Sequence, residues 1–495
     1  MTANVILKEV QAFLDQPSQL FIGGQWQDAK SKQTFMIENP ATEQSLAVVA
    51  KGNADDVDLA VEAAQQAFKT WRYEAPVVRA KLLNKLADLI EQKAEELAQI
   101  ITLENGKPLL YSRRECLGAV NLLRYFAGFA TKIEGRTVPV STAPTANFLN
   151  YTLRDPVGVC ALIVPWNFPL TMCVGKLAPA MAVGCTTILK PADQTPLIAI
   201  RLMQLFEEAG FPKGVVNLVT GSGRDVGEPL SSHMKVNKVT FTGSTDVGKS
   251  IAQQATSNMK RVTLELGGKS PNIILPDADI DKAVAGAASA IFYNQGQVCT
   301  AGSRLYVHES ILDEVLEKLK IAAQSMTITN GLDESSTMGP LVSKRQYETV
   351  MRYIERAQED GAELIIGGQR PEGLEKGYYV QPTIFLDKDE KTCIAKEEIF
   401  GPVLTVMPWT DIDDLVERAN NSVYGLAAGI WTKDLSNAHT IAARLEAGSV
   451  WINCYNVVDP VSPFGGYKQS GWGREMSHDV IEAYTETKNV CVNLV

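Results

Sequence analysis

The chain has 495 residues, 45% of them hydrophobic and 21% charged, with a formal charge of −10. That length is too great for one simple core, so two large domains with smaller appendages are expected. A net negative surface repels nucleic acid and anionic lipid, the N-terminus lacks a basic, apolar leader, and no run of ~18 apolar residues could span a bilayer, so a cytoplasmic protein with neither partner is expected.

The first residues read as a short amphipathic helix with Val5, Ile6, Val10, Phe13 and Leu14 on one face. From about 54 to 133, apolar residues recur at three- and four-residue steps, which predicts helices. Residues 134–152 lose that period and read as a hairpin-like excursion. VGVCALIV (157–164) is a continuous apolar strand, TMCVGKLAPAMAVG a helix and CTTILK a strand. Thr195 and Pro196 read as an N-cap and first helical residue, and Gly210 as that helix's close. GVVNLVTG and KVTFTGS are further short strands. Such alternation implies a mostly parallel sheet with helices on both faces. After LELGGKSPNIILP (264–276) it restarts: helices are expected at about 279–295, 309–325, 343–361 and 411–420, and strands at TIFLD, LTVMPW and AAGIWT. The tail TKNVCVNLV alternates and reads as a terminal strand in need of a partner edge.

The chain has eight cysteines and four histidines. No CxxC pair occurs and no histidine stands at ligand spacing from another histidine or a cysteine, so no metal is expected. With no export signal, no disulfide framework is expected either. Cys299 sits in NQGQVCTAGSR among small and amide-bearing residues, and two readings stay open, a core filler and a nucleophile. GSTDVGKS (243–250) fits the P-loop pattern after a strand, with Asp277 as a passable Walker B residue. Equally, Gly243 and Gly248 could let a helix N-terminus approach a dinucleotide pyrophosphate. GSGRDVG (221–227) reads best as a strand-to-helix turn. Asn167 in VPWNFPL is either a loop cap or a ligand-facing amide at a strand's C-terminal end. In RVTLELGGKSPN, Val262, Leu264 and Leu266 face one way and Thr263 and Glu265 the other. Glu265 is either on a solvated face or beside a cofactor that the Gly267–Gly268 break admits.

Taken in order, PWNFP, GKLAPA, KPADQTP, FTGSTDVG, LELGGKSPN, FYNQGQVCTAG, EEIFGPV and SPFGGYKQSGWGRE resemble the NAD(P)-dependent aldehyde dehydrogenases over nearly the whole chain. The P-loop match then becomes coincidence. The resemblance implies an α/β fold of two doubly wound domains with a small β oligomerisation hairpin and tail. A dinucleotide-binding domain would take 1–133 and 153–264, a catalytic domain 265–467, and oligomerisation elements 134–152 and 468–495. It implies a homodimer or a dimer-of-dimers tetramer.

It also implies roles. Cys299 matches the nucleophile, Glu265 the general base and Asn167 the oxyanion-hole amide. Lys176 matches a lysine of the catalytic centre and Glu475 a proton-relay carboxylate. Ser244 and Trp166 match residues near the pyrophosphate, Lys190 and Asp193 the pair at the adenine ribose, and Glu398 and Phe400 the pair at the nicotinamide. Val164, Pro165, Gly223, Phe241, Gly243, Gly248, Leu266 and Gly267 complete the implied cofactor site. Asp193 stands where glutamate is commoner. A carboxylate there favours NAD, and its shorter reach leaves NADP open.

The implied substrate tunnel is mostly apolar: Phe168, Met172, Gly175, Tyr293, Val298, Thr300, Tyr455, Asn456, Val458 and Phe464. Gly175 replaces a bulky aromatic of several members, and no arginine is present to pair a substrate carboxylate, which argues against succinate semialdehyde. Within the family the chain is most similar to the phenylacetaldehyde dehydrogenases. The alternatives are a medium-chain aliphatic enzyme or another subfamily (betaine aldehyde, succinate semialdehyde), a P-loop protein, and a catalytically retired binding protein. The intact set of Cys299, Glu265, Asn167 and Lys176 speaks against the last.

Overall fold

Residues 157–164 are apolar at every position, which suits a strand covered on both faces. In the computed structural model, which describes residues 6–495, Val159–Ile163 is that strand and all its residues are buried. It lies inside an eight-stranded sheet in the order Gly471–Trp472, Arg261–Glu265, Lys238–Thr242, Val159–Ile163, Thr186–Lys190, Val216–Leu218, Leu20–Ile22, Gln25–Gln27. Alternate residues serve opposite faces. Cys160 and Leu162 join the core under helices Pro76–Gln92, Leu109–Phe129, Pro169–Val183 and Leu197–Ala209, while Val159, Ala161 and Ile163 pack with Val57, Val61 and Ala64 of helix Ala54–Trp71. Thr186–Lys190 and Lys238–Thr242 flank the central strand in parallel, one on each side. The strand order therefore reverses at Val159–Ile163, and the crevice at its C-terminal end is where such sheets bind ligands.

A seven-stranded sheet forms the second α/β unit: Glu363–Ile366, Thr383–Leu386, Val403–Trp409, Arg304–His308, Pro271–Ile274, Ala427–Trp431, Ser449–Ile452. All its neighbours are parallel except the first pair. Among the described residues no helix is long and apolar enough to cross a membrane.

Several expectations need correction. The N-terminal helix is Lys8–Leu14, with Val10, Phe13 and Leu14 buried; Ile6 precedes it, and Val5 lies outside the described residues. Thr195 does not cap its helix. Pro196 already has helical torsions, and the Glu104 carboxylate, brought from another helix, accepts from Leu197 N (2.7 Å) and Ile198 N (3.0 Å). A distant carboxylate satisfies two orphan donors where a threonine hydroxyl satisfies one. The helix expected to 295 ends at Phe292, because Asn294, Gln295 and Gly296 all take positive φ.

The excursion and the tail do not wait for outside partners. Phe148–Pro156 pairs antiparallel with Thr485–Asn493 over nine residues, while the supposed first arm of the hairpin touches this ribbon by a bridge at Thr137–Tyr151. Ion pairs Arg154–Glu482 and Lys488–Asp155 flank the ribbon. Segment 468–495 is not a separate appendage throughout, since Gly471–Trp472 hydrogen-bonds to Leu264–Glu265 in the first sheet.

Candidate active site

The ends of the parallel strands bring the chemistry together. Beyond Ile163 the chain runs through Val164, Pro165, Trp166 and Asn167, with Val164 N donating to the Lys190 carbonyl (3.1 Å). Beyond Thr242 come Gly243, Ser244 and helix Thr245–Ala255, whose N-terminus has no side-chain cap. A cleft of about 370 Å³ opens here, within the range of small-molecule sites. It is lined by Pro165, Trp166, Asn167, Met172, Gly243, Ser244, Leu266, Gly267, Cys299, Glu398 and Phe400, together with Gln194, Thr242, Ser343, Arg345, Gln346 and Thr349.

Cys299 is half-buried in its wall. Burial first, then the Glu398 and Glu265 carboxylates, push its thiol up to about 12. Asn167 is buried; its Nδ2 donates to the Gln297 carbonyl (3.1 Å) and its Oδ1 has no partner. The solvated reading of Glu265 is overturned. It is buried, neither carboxylate oxygen accepts a hydrogen bond, and a Cβ at Gly465 would come within 2.8 Å of its Oε1. Burial raises its pKa well above the carboxylate range and Glu475 raises it further, against Lys176 and Arg474. A carboxylate without partners is costly to bury, so its environment marks a group kept for chemistry. Lys176 pairs with Glu475 and donates to Thr240 Oγ1 (3.1 Å), itself 3.3 Å from Glu475 Oε1.

On the opposite wall Glu398 accepts from Gly268 N (3.0 Å), and a Cβ at Gly267 would fall 2.2 Å from Glu398 Oε2. Burial pushes Glu398 up to about 7. Phe400 takes φ 58° and meets Trp166 edge-on with centroids 5.2 Å apart. Gln346 Nε2 fastens this loop by donating to the carbonyls of Ile399 (3.1 Å) and Phe400 (2.9 Å). Thr242 Oγ1 is buried in the cleft without a partner. Lys190 Nζ donates to Asp193 Oδ1 (3.0 Å). A glycine-lined wall, an uncapped helix N-terminus and an orphaned hydroxyl suit a dinucleotide. The Walker pair is not assembled. Lys249 is exposed, and Asp277, in the other unit, accepts from Thr432 Oγ1, Lys433 N and Asp434 N.

The family model described as "Aldehyde dehydrogenase family" matches residues 26–490. The chain belongs to this family. It is 48% identical to the phenylacetaldehyde dehydrogenase of Pseudomonas fluorescens over 498 residues, covering 99% of each chain. It is 49% identical to the mitochondrial aldehyde dehydrogenase of Rattus norvegicus over 482 residues, 96% of this chain and 92% of the relative. The solved structure of a Bacillus cereus aldehyde dehydrogenase in complex with NAD+ superposes with a TM-score of 0.97 at 48% identity, covering 99% of each chain. Overall identity does not choose between the first two, so substrate class has to be argued from the pocket.

For this aldehyde dehydrogenase family member, the remaining anticipated positions do not line the cleft. Gly248 packs against Leu266, and Phe241 lies under Gly243, whose Cβ would meet its ring at 2.4 Å. Gly223 is exposed as the first residue of the short helical segment Gly223–Gly227. Phe168 stacks on Tyr293 (5.9 Å, 22°), and Tyr111 meets Tyr293 edge-on at 4.6 Å. Thr300 Oγ1 donates to Asn456 Oδ1 (2.8 Å) and Tyr455 OH to the Thr300 carbonyl (2.8 Å). Phe464 and Glu475 exchange backbone hydrogen bonds, Val298 is buried and Val458 is 50% exposed. A Cβ on Gly175 would meet Leu122 Cδ1 at 4.0 Å, an ordinary van der Waals contact, so a small side chain would fit there.

Gln194, Thr242, Ser343, Arg345, Gln346 and Thr349 were not anticipated. Ser343 caps its helix by accepting from Gln346 N (3.3 Å), a start signal readable in SKRQ. That this helix end faces strands of the other unit is a tertiary fact with no local signal.

Proposed function

We propose that the protein oxidises an aldehyde to its carboxylic acid with reduction of NAD, through a covalent intermediate on Cys299. What supports this reading is a half-buried thiol and a buried amide in one cleft, Cys299 and Asn167, with the buried, unpartnered Glu265 carboxylate near enough to push that thiol up. Cys299 Sγ adds to the carbonyl carbon; the S–C bond forms, the π pair moves onto oxygen and the thiol proton is released to water. The Asn167 Nδ2 hydrogen that Gln297 does not engage, with the Cys299 backbone N–H, meets the oxyanion. When bound, the nicotinamide accepts the hydride expelled from the tetrahedral carbon, and a thioester remains on Cys299. Glu265 takes a proton from the attacking water, the C–S bond breaks and the acid leaves. Lys176 and Glu475 stand beside Glu265 as the onward path for that proton. Ser244 and Trp166 would hold the pyrophosphate, Lys190 and Asp193 the adenine ribose, and Glu398 and Phe400 the nicotinamide ribose and ring. The Asp193 carboxylate favours NAD over the 2′-phosphate of NADP.

The substrate reading is a hydrophobic, aryl-bearing aldehyde such as phenylacetaldehyde. The Phe168–Tyr293–Tyr111 aromatic cluster and the lack of a side chain at Gly175, where a Cβ would meet nothing closer than Leu122 Cδ1 at 4.0 Å, support it. Burying roughly 100 Å² more apolar surface than acetaldehyde does is worth ~2.5 kcal/mol at ~25 cal/mol per Å². Kept in the transition state, that is roughly a fifty- to hundredfold preference in kcat/KM. In a panel of aldehydes with NAD and NADP, phenylacetaldehyde is expected above acetaldehyde, and both above betaine aldehyde and succinate semialdehyde. Gly175→Trp fills the space and erodes the preference. A charged aldehyde as best substrate, or unchanged selectivity in Gly175→Trp, contradicts this pocket.

A homodimer or a dimer of dimers, in the cytoplasm, completes the proposal. The free cysteines, most of them buried, suit a reducing compartment. The ribbon Phe148–Pro156/Thr485–Asn493 and the half-exposed sheet edge Ser449–Ile452 leave unpaired backbone edges, and Val457, Val461 and Trp472 are exposed apolar side chains. Light scattering after deletion from Thr487 onward is expected to show a lower oligomeric mass or loss of solubility. A soluble oligomer of unchanged mass contradicts it.

A further inference from the structure

Lys107 is buried to its tip beside the site, yet the chemistry above does not use it. Neither its side chain nor that of Glu115 meets solvent in any appreciable degree. Lys107 Nζ donates to Glu115 Oε2 (2.7 Å) and to the backbone carbonyl of Asn167 (2.7 Å), and it lies 4.3 Å over the Phe168 ring. The other Glu115 oxygen accepts from Leu170 N (2.8 Å) and Thr171 N (3.2 Å), which caps helix Pro169–Val183. The same Asn167 carbonyl accepts a second hydrogen bond from Asn294 Nδ2 (3.1 Å), which also donates to the Gln297 carbonyl (3.2 Å). Gln297 O in turn accepts from the Asn167 side chain (3.1 Å). Lys107 therefore anchors a closed network that ends two residues before Cys299.

A buried ion pair is a poor device for stability alone. An apolar pair of the same volume is commonly as stable or more so, because two charges lose their hydration. What an apolar pair cannot do is grip a carbonyl. The ammonium fixes the direction of the Asn167 peptide, and Asn294, held in a left-handed conformation with φ 50°, ties that peptide to the Cys299 loop. A side-chain amide can meet a developing oxyanion only if its own backbone is held to within a fraction of an ångström.

We propose that Lys107 is a positioning residue for the acylation half of the reaction, aiming the Asn167 amide at the oxygen that becomes anionic when Cys299 attacks. This rests on the roles given above to Cys299 and Asn167, and the test separates the two. The full-length protein is compared with Lys107→Met and with Lys107→Met/Glu115→Gln, which removes both charges and so avoids a lone buried carboxylate if the single variant folds poorly. Active sites are counted by alkylation of Cys299, NAD binding by tryptophan fluorescence, and acylation by the pre-steady-state rate of NADH formation with protiated and C1-deuterated aldehyde.

The expected result is unchanged NAD affinity, with acylation per counted site slowed about 10- to 100-fold, as small misplacements of a catalytic group cost. A primary isotope effect on kcat should grow as acylation becomes limiting. In an Asn167→Ala background the Lys107 change should add little, since the two act as a unit. A merely structural lysine gives fewer active sites, each working at the normal rate with the normal isotope effect, and that result overturns the proposal. Normal acylation in Asn167→Ala overturns the oxyanion role and this inference with it. Slow Asn167→Ala beside normal Lys107 variants overturns the inference alone.

Discussion

Cys299→Ala is expected to lose NAD-linked aldehyde oxidation by at least ~10³-fold while it still binds NAD. Removing a covalent nucleophile leaves only the residual catalysis of binding and oxyanion donors, and such losses reach on the order of 10⁶-fold. The cofactor half should survive, because Cys299 contributes one residue to a wall otherwise built from Trp166, Ser244, Gly267, Glu398 and Phe400. The local fold should survive as well. The turn before Cys299 is set by positive φ at Asn294, Gln295 and Gly296 and by Gln295 Nε2 donating to the Pro340 carbonyl (2.7 Å). Steady-state NADH formation and a cofactor titration check both halves. Substantial turnover would show that the sulfur is not the nucleophile.

Glu265→Gln is expected to separate the two half-reactions. NADH should appear in a burst near one per active site, followed by a steady rate reduced ~10²- to 10⁴-fold, the usual worth of a general base. The substitution is nearly isosteric and removes a carboxylate that has no hydrogen-bonding partner, so the fold should tolerate it. The pH dependence follows from the environment. Burial and Glu475 hold the Glu265 pKa well above the carboxylate range, so the group is protonated, and useless as a base, below that value. Wild-type deacylation should therefore rise with pH through the elevated pKa, and the residual rate of Glu265→Gln should lack that limb. Normal steady turnover by the variant, or an unchanged pH limb, would assign the base elsewhere.

What the sequence disclosed depended on whether a signal was local. Val159–Ile163 is legible because a short continuous apolar run closed by Pro165 suits a doubly covered strand, and helix Ala54–Trp71 because its period is written in AVEAAQQAF, while its start in the Asn53/Asp56 capping box is seen only in the structure. The alternation in RVTLE placed Glu265 on one face of its strand, but only the packing of Gly465 and the Lys176–Glu475 pair shows that this face is interior. Asn294 and Gln295 continue a helical pattern on paper; the left-handed turn they make with Gly296 brings that glycine so close to the Gly401 carbonyl that a Cβ would come 2.0 Å from it, a packing no local pattern shows. Thr195 was a sound local cap that lost to a carboxylate 91 positions earlier, at Glu104. Lys107, within ENGKP, carries no motif of its own, and only the fold reveals that Glu115 and the Asn167 carbonyl surround it. The pairing of Phe148–Pro156 with Thr485–Asn493 joins segments more than 300 residues apart, beyond any local pattern.

The most direct test of covalent catalysis at this cleft is peptide mapping of the stalled enzyme. Glu265→Gln is mixed with NAD and phenylacetaldehyde, quenched in acid and digested, and the peptide containing Cys299 is weighed. The account predicts that this peptide gains one phenylacetyl group, in an amount matching the NADH burst, and that hydroxylamine releases it as a thioester should. An unmodified Cys299 peptide alongside a full burst, or the acyl group on another residue, would contradict it.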